Sequence, residues 1–363
     1  MRRQLALAVG AALALPLALI AAPATAAPAP PPPKVLHEDL FSPLKLAHDL
    51  DGSVYVTDNF AGSLHKIARG GKFSTLYTTA TPGNEVGAVS AFLGSVYFAE
   101  TTADGALLKK VDRKGRITQL ADLGAHEKAK NPDGKSSYGF SDLSADCLAQ
   151  VPEGIPASYT GEVYSHPYAT LGTPLGTVVA DAGGNALLTV SSRGTVRTLA
   201  VLPPQRAIIG EWALELGLPE CSLGHPYDFE PVPTDVELGP DGWLYVSLLP
   251  GGPETPAAGA RGSVVKVNPL TGKLVTVATG LVSASDLAVS PRGDIYVTEL
   301  FSGRIAVIKK GTKTAVTFRE AALPAAVEWA PKGLYATVDA VPAFGPPETP
   351  PPPPAGDVVF FRF

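Results

Sequence analysis

The stretch LGPDGWLYVSLL, Leu238 to Leu249, begins in a tight reversal and runs on as a strand. Pro240 presets one dihedral of the turn and Gly242 supplies the left-handed one. From Trp243 onward, aromatic, β-branched and leucine side chains crowd together, as in a pleated segment packed on both faces. The phrase recurs as DLDGSVYVTDN from Asp49, FLGSVYFAET from Phe92 and SPRGDIYVTEL from Ser290. Aligning the turn glycines gives Gly52, Gly94, Gly242, Gly293 and Gly333, with a further copy, TPLGTVVADAGGNALLTV, marked by Asp181. Gly52 to Gly94 spans 42 residues and Gly293 to Gly333 spans 40, the size of a four-stranded propeller blade.

The copy around Leu238 is the fullest. Strand A is TDVELG, strand B WLYVSLL, strand C GSVVKVN and strand D KLVTVATG, joined by short Gly-containing turns. The last copy stops after a third strand, GDVVFFRF, at Phe363, and a spare strand, KVLHEDL, begins at Lys34. Pairing the two removes an exposed sheet edge. The sequence therefore predicts an all-β fold, a six-bladed β-propeller over 34–363 closed by an N-terminal strand that completes the last blade.

Residues ahead of this region read differently. Arg2 and Arg3, an apolar run and Ala24-Thr25-Ala26 describe a secretory signal peptide, 1–26, cleaved near Ala26. A Pro-rich linker, 27–33, follows. Losing the two arginines takes the formal charge from −5 to −7, with no basic stripe for nucleic acid or anionic lipid. No second long apolar run follows, so no stable membrane insertion is expected. A secreted, extracellular monomer is expected instead.

Strands alternate in direction, so A–B and C–D turns share one face of the ring and B–C and D–A loops the other. The first class is short throughout; the long segments 124–165, 203–232, 249–261 and 340–356 all fall in the second. Partners are expected on that long-loop face. It holds both cysteines, Cys147 and Cys221, and in an exported chain two cysteines pair. It also holds His166 and His225, each followed by Pro-Tyr; no third ligand has usable spacing, so the motif reads as a rigid start to a strand. QRAIIGEWALELG reads as a short helix with Trp212 on its apolar side. An acid closes most B strands (Asp58, Glu100, Asp181 and Glu299, with Asp339 one place late), and a short acid there serves as an acceptor for loop amides.

Several segments, among them NPDGKSSYGF (131–140), HPYATL (166–171), VPTDVELGPDGWLYVSLLPGGP and the closing GDVVFFRF, resemble the ScyD/ScyE family. The likeness runs from about Lys34 to Phe363. It implies an exported NHL-like or SMP-30-like six-bladed propeller and implies no activity. The family pattern has Asn-Pro-Tyr-Asp or Asn-Pro-Tyr-Gly where this chain has His166-Pro167-Tyr168-Ala169.

Two functions compete. One is a non-catalytic propeller that binds a small polar ligand or an extracellular protein on its long-loop face, without a cofactor. The other is a metal-dependent hydrolase of the lactonase type, which needs several oxygen ligands, ~6–8 for calcium, around the axis. Counting seven back from each turn glycine gives the axial positions Lys45, Gly87, Asp235, Asp286 and Ala326, with Tyr168 or Ala169 in blade three. Two acids facing one lysine are a thin supply for a metal. The binding reading therefore leads, with Asp235, Asp286 and Lys45 at the mouth and Trp212 as a lid or rim.

Overall fold

The computed structural model describes residues 31–254, 256–343 and 349–363; the expected signal segment lies outside them. Pro33–Phe363 form one compact unit. Its frame is six four-stranded antiparallel sheets. The innermost strands (A) are Lys45–His48, Glu85–Phe92, Pro167–Thr173, Pro233–Leu238, Ala284–Val289 and Val327–Ala330. In blade four, strands B to D are Leu244–Leu248, Gly262–Val267 and Leu274–Leu281. The last blade takes its fourth strand from the front of the chain. Lys34–Leu40 pairs antiparallel with Gly356–Arg362, Val35 opposite Val359 and His37 opposite Val358.

The turns explain the repeat. In blades one, four and five the A–B reversal uses the same hydrogen bonds: Gly52 N–H to Asp49 O, Gly242 N–H to Gly239 O and Gly293 N–H to Ser290 O. The three glycines have φ between 76° and 87°, where any side chain is strained. Gly333 is glycine for another reason: a Cβ there would stand 2.0 Å from the Phe361 carbonyl oxygen.

The core is not one globule but six layers, each between neighbouring blades. Leu187 and Val178 pack on Val236 and Val246 between blades three and four, and the same pattern continues through blades four to five and five to six. Leu46, Val54 and Val56 meet Ala326, Val358 and Leu40 between blades one and six, which closes the ring. Buried apolar area is thereby distributed evenly, and each blade depends on both neighbours.

The two longest insertions build something the sequence did not announce. Ser137–Phe140, Ser158–Thr160, Gln205–Ile208 and Pro226–Phe229 form a seventh four-stranded sheet outside the ring. The Cys147–Cys221 disulfide ties its two contributing segments together, with Cα atoms 5.9 Å apart. The helix expected over QRAIIGEWALELG is corrected here: Gln205–Ile208 is a strand of this sheet and Glu211–Ala213 a single 3-10 turn. Pro203 and Pro204 before it and Gly210 within it leave too short a run to nucleate a helix.

Candidate functional site

Strand A of blades one, three, four and five delivers a large axial side chain, Lys45, Tyr168, Asp235 and Asp286, close to the long-loop face. Lys45 donates to Asp286 Oδ2 at 2.6 Å and to the Ser285 carbonyl at 3.0 Å. It also lies 3.7 Å from Asp235 Oδ1 and 4.9 Å from the Tyr168 ring centroid. Blades one, three, four and five thus meet at one ammonium, and Lys45 is only 2 % exposed. Asp235 and Asp286 have second duties: Asp235 Oδ2 accepts from the Leu287 amide of the next blade, and Asp286 Oδ1 from Val327 of the one after. Burial pushes the Asp235 carboxyl above the usual range, and burial together with Asp235's charge drives Asp286 well above it.

A second tier lies two residues further along strand A, at Glu237 and Glu328. Burial and the repulsion of Asp235 and Asp286 raise Glu237 strongly, and burial, Glu237 and the same two aspartates raise Glu328. His48 Nδ1 is 3.9 Å from Glu328 Oε2. Stepping two residues beyond Asp235 and Ala326 in the repeat register would have exposed both glutamates. Four carboxylates therefore share the field of one lysine.

The other expected positions divide. His166 Nε2 and Glu85 Oε2 are 2.8 Å apart. Glu85 in turn accepts from Asn59 at 2.7 Å, and Asn59 from Thr57 at 2.6 Å. Burial works against both charges of the pair, yet the mutual contact holds His166 above its ordinary value and Glu85 below. His225 instead pairs with Asp142 at 3.0 Å, so the two His-Pro-Tyr motifs start strands in different sheets and share no ligand. Among the described residues, no three His, Cys, Asp or Glu side chains gather in metal-binding geometry. The strand-end acids act as acceptors. Asp58 takes the Phe41 and Ser42 amides, Asp181 takes His166 and Gly184, and Glu299 takes Val282. Glu100 differs: Lys109, Thr79, Asn84 and Tyr77 all donate to it. Burial pushes its carboxyl up, but these bonds hold it down at about 2.

Trp212 belongs to a different place. It lines a cleft of about 320 Å³ between the seventh sheet and the 249–261 loop, with Ile155, Leu218, Tyr227 and Phe229 as apolar walls. Tyr159 and Glu230 bring the polar groups to this lining. Burial raises the Glu230 carboxyl, against the hydrogen bonds from Asn185 and Tyr159. The opposite face is not featureless, as the short turns suggested. A shallow groove of about 880 Å³ runs between the hairpins of blades three and four, past Leu175, Arg193 and Pro269.

The fold and these positions define a class, the β-propellers. No family model and no curated protein matches this chain; solved structures do. An oxidoreductase described as a glucose dehydrogenase from Thermus thermophilus aligns over 90% of this chain and 99% of its own, with 15% identity and a TM-score of 0.53. The PQQ-bound aldose sugar dehydrogenase of Streptomyces coelicolor aligns over 92% and 99%, at 14% identity and a TM-score of 0.51. A catalytically inactive virginiamycin B lyase from Staphylococcus aureus, with quinupristin, gives the same coverage and identity at 0.50. At such identities the likeness is one of fold.

Proposed function

We propose that this protein is an exported, non-catalytic propeller that binds a small amphipathic molecule in the Trp212 cleft on its long-loop face. The observation that carries the reading is the cleft itself. It is an apolar hollow with aromatic walls and one raised carboxyl, Glu230, a composition that fits an apolar body carrying a hydroxyl or amine. The cleft lies on the face expected from loop lengths, and the disulfide braces the sheet that forms it. The resemblance of NPDGKSSYGF and its companion segments to ScyD/ScyE proteins belongs to the same proposal, as does secretion after cleavage near Ala26. Lys45, Asp235 and Asp286 enter it as the axial pin of the ring, because each is occupied by the others. That pairing also weighs against the lactonase alternative: the lysine ammonium already stands against the two carboxylates that an axial metal would need.

The test uses arylalkylamines, tyramine first, titrated into the wild-type chain by calorimetry. Saturable binding is expected, weakened at least ~10-fold by Trp212→Ala and by Glu230→Gln, since each loses roughly 1.4 kcal/mol or more of contact. Equal binding by both variants places the ligand elsewhere. Turnover of lactones that disappears in Asp235→Asn/Asp286→Asn would replace the proposal with the hydrolase.

A further inference from the structure

Seven buried side-chain polar atoms among the described residues have no hydrogen-bond partner, and four of them lie between positions 127 and 133. They are Glu127 Oε1 and Oε2, Asn131 Oδ1 and Asp133 Oδ1. Glu127 is 2 % exposed and Asp133 1 %. Buried polar groups without partners are few in native folds, and each calls for an explanation. Four in seven residues, all oxygens, call for a common one.

The oxygens of Asn131 and Asp133 lie beside Gly161, and those of Glu127 beside Gly184. Asn131 Nδ2 donates to the Gly161 carbonyl at 3.1 Å, which leaves its Oδ1 as the free atom. A Cβ on Gly161 would stand 2.1 Å from Asp133 Oδ1, and one on Gly184 would stand 2.7 Å from Glu127 Oε2. The Tyr164 amide leans toward Glu127 without completing a hydrogen bond. Asp133 Oδ2 is occupied, by Tyr138 Oη at 2.9 Å and Asn185 Nδ2 at 2.8 Å. The remaining neighbour, Asp181, is saturated by Ser165, His166 and Gly184. Glu127 thus lies in the field of two further acids, Asp181 and Asp133.

We infer that Glu127, Asn131 and Asp133 form a binding site for a hard divalent cation, calcium, that fastens the 123–166 insertion to blade three. Burial and the neighbouring acids push the Glu127 carboxyl up to about 8, and a cation that replaced its proton would find only acceptors here, since the Asn131 nitrogen is already bonded. Hydrogen-bond donors would have to come one at a time, whereas one cation satisfies all four and neutralises the acids. Calcium takes ~6–8 oxygens in flexible geometry, so four side-chain atoms leave places for backbone carbonyls and water. The site is independent of the Trp212 cleft, but it touches the same frame: Asn185 donates to Asp133 and also to Glu230.

The experiment is calorimetry on the chelator-stripped full chain with calcium chloride. The expected result is one ion per chain, with Kd on the order of 10⁻⁴–10⁻³ M as in other extracellular calcium modules. Glu127→Gln and Asp133→Asn should each weaken binding at least ~10-fold, the equivalent of one lost charge contact, and abolish the rise in melting temperature that calcium gives the wild type. Terbium, excited through the tyrosines beside the site, should emit on the wild type and be displaced by calcium, a readout that stands if the acid variants misfold. The inference falls if the folded, stripped wild type binds no calcium or prefers magnesium. It also falls if Glu127→Gln binds calcium like the wild type, or if calcium does not displace bound terbium.

Discussion

Lys45 is the residue on which most of the ring converges. A buried ion pair adds little over an apolar replacement, but removing one partner leaves the other charge stranded, at a cost of about 3–5 kcal/mol. Lys45→Met should lose that much at pH 8 in urea unfolding. The sign then follows from the acids left behind. With folded pKa values raised above the unfolded ones, Asp235 and Asp286 bind protons more readily in the native state, so stability recovers as pH falls. Most of the loss should disappear by pH 5; an equal loss at both pH values would mean the acids are not stranded. Glu237 and Glu328 follow the same rule, Glu328 with His48 3.9 Å away. Glu237→Gln/Glu328→Gln should raise the denaturation midpoint at pH 8, with a gain that fades toward pH 4. Through its histidine, the His166–Glu85 contact runs in the same direction. The histidine's folded pKa is raised, so its stabilisation is complete below about pH 6.5 and is lost as pH rises through the folded value. Glu85→Gln should therefore flatten the pH profile of stability above neutrality.

Among the elements, the seventh sheet depends most on a single bond. Its strands are three or four residues long and come from two insertions, with a small apolar cluster around Phe140, Ile209, Leu218, Tyr227 and Phe229. The disulfide closes a separation of 74 residues, for which chain entropy supplies up to about 4 kcal/mol. Reduction should lower the melting temperature and raise hydrogen exchange in 137–160 and 205–229, while the six blades keep their protection. Uniform exchange over all blades would show that the insertion sheet is integral to the ring and not an addition to it.

At the level of the whole molecule, the ring owes its closure to the first strand. Deleting 34–40 leaves Gly356–Arg362 as an unpaired edge and removes Leu40 from the layer between blades one and six. Edge exposure invites pairing between chains, so the truncated protein should aggregate at concentrations where the full chain is monodisperse, or melt far lower. An unchanged melt would show that closure rests on the apolar layer alone.

Blade size, blade count, strand order and the tight-turn face could all be read from spacing, because each rests on local rules: alternation along a strand and a left-handed glycine in most turns. The disulfide was legible too, since only two cysteines exist and both lie in loops of one face. The axial register was half legible. Seven residues before each turn glycine lie Lys45, Asp235 and Asp286, but Glu237 and Glu328 converge with them only because the ring brings blades four, five and six to one axis. The seventh sheet, the cleft under Trp212 and the bare oxygens of Glu127, Asn131 and Asp133 left no periodic trace. They arise where segments more than twenty residues apart in the chain pack side by side. Such contacts are set by closure of the ring and the course of its insertions, so tertiary structure alone decided them.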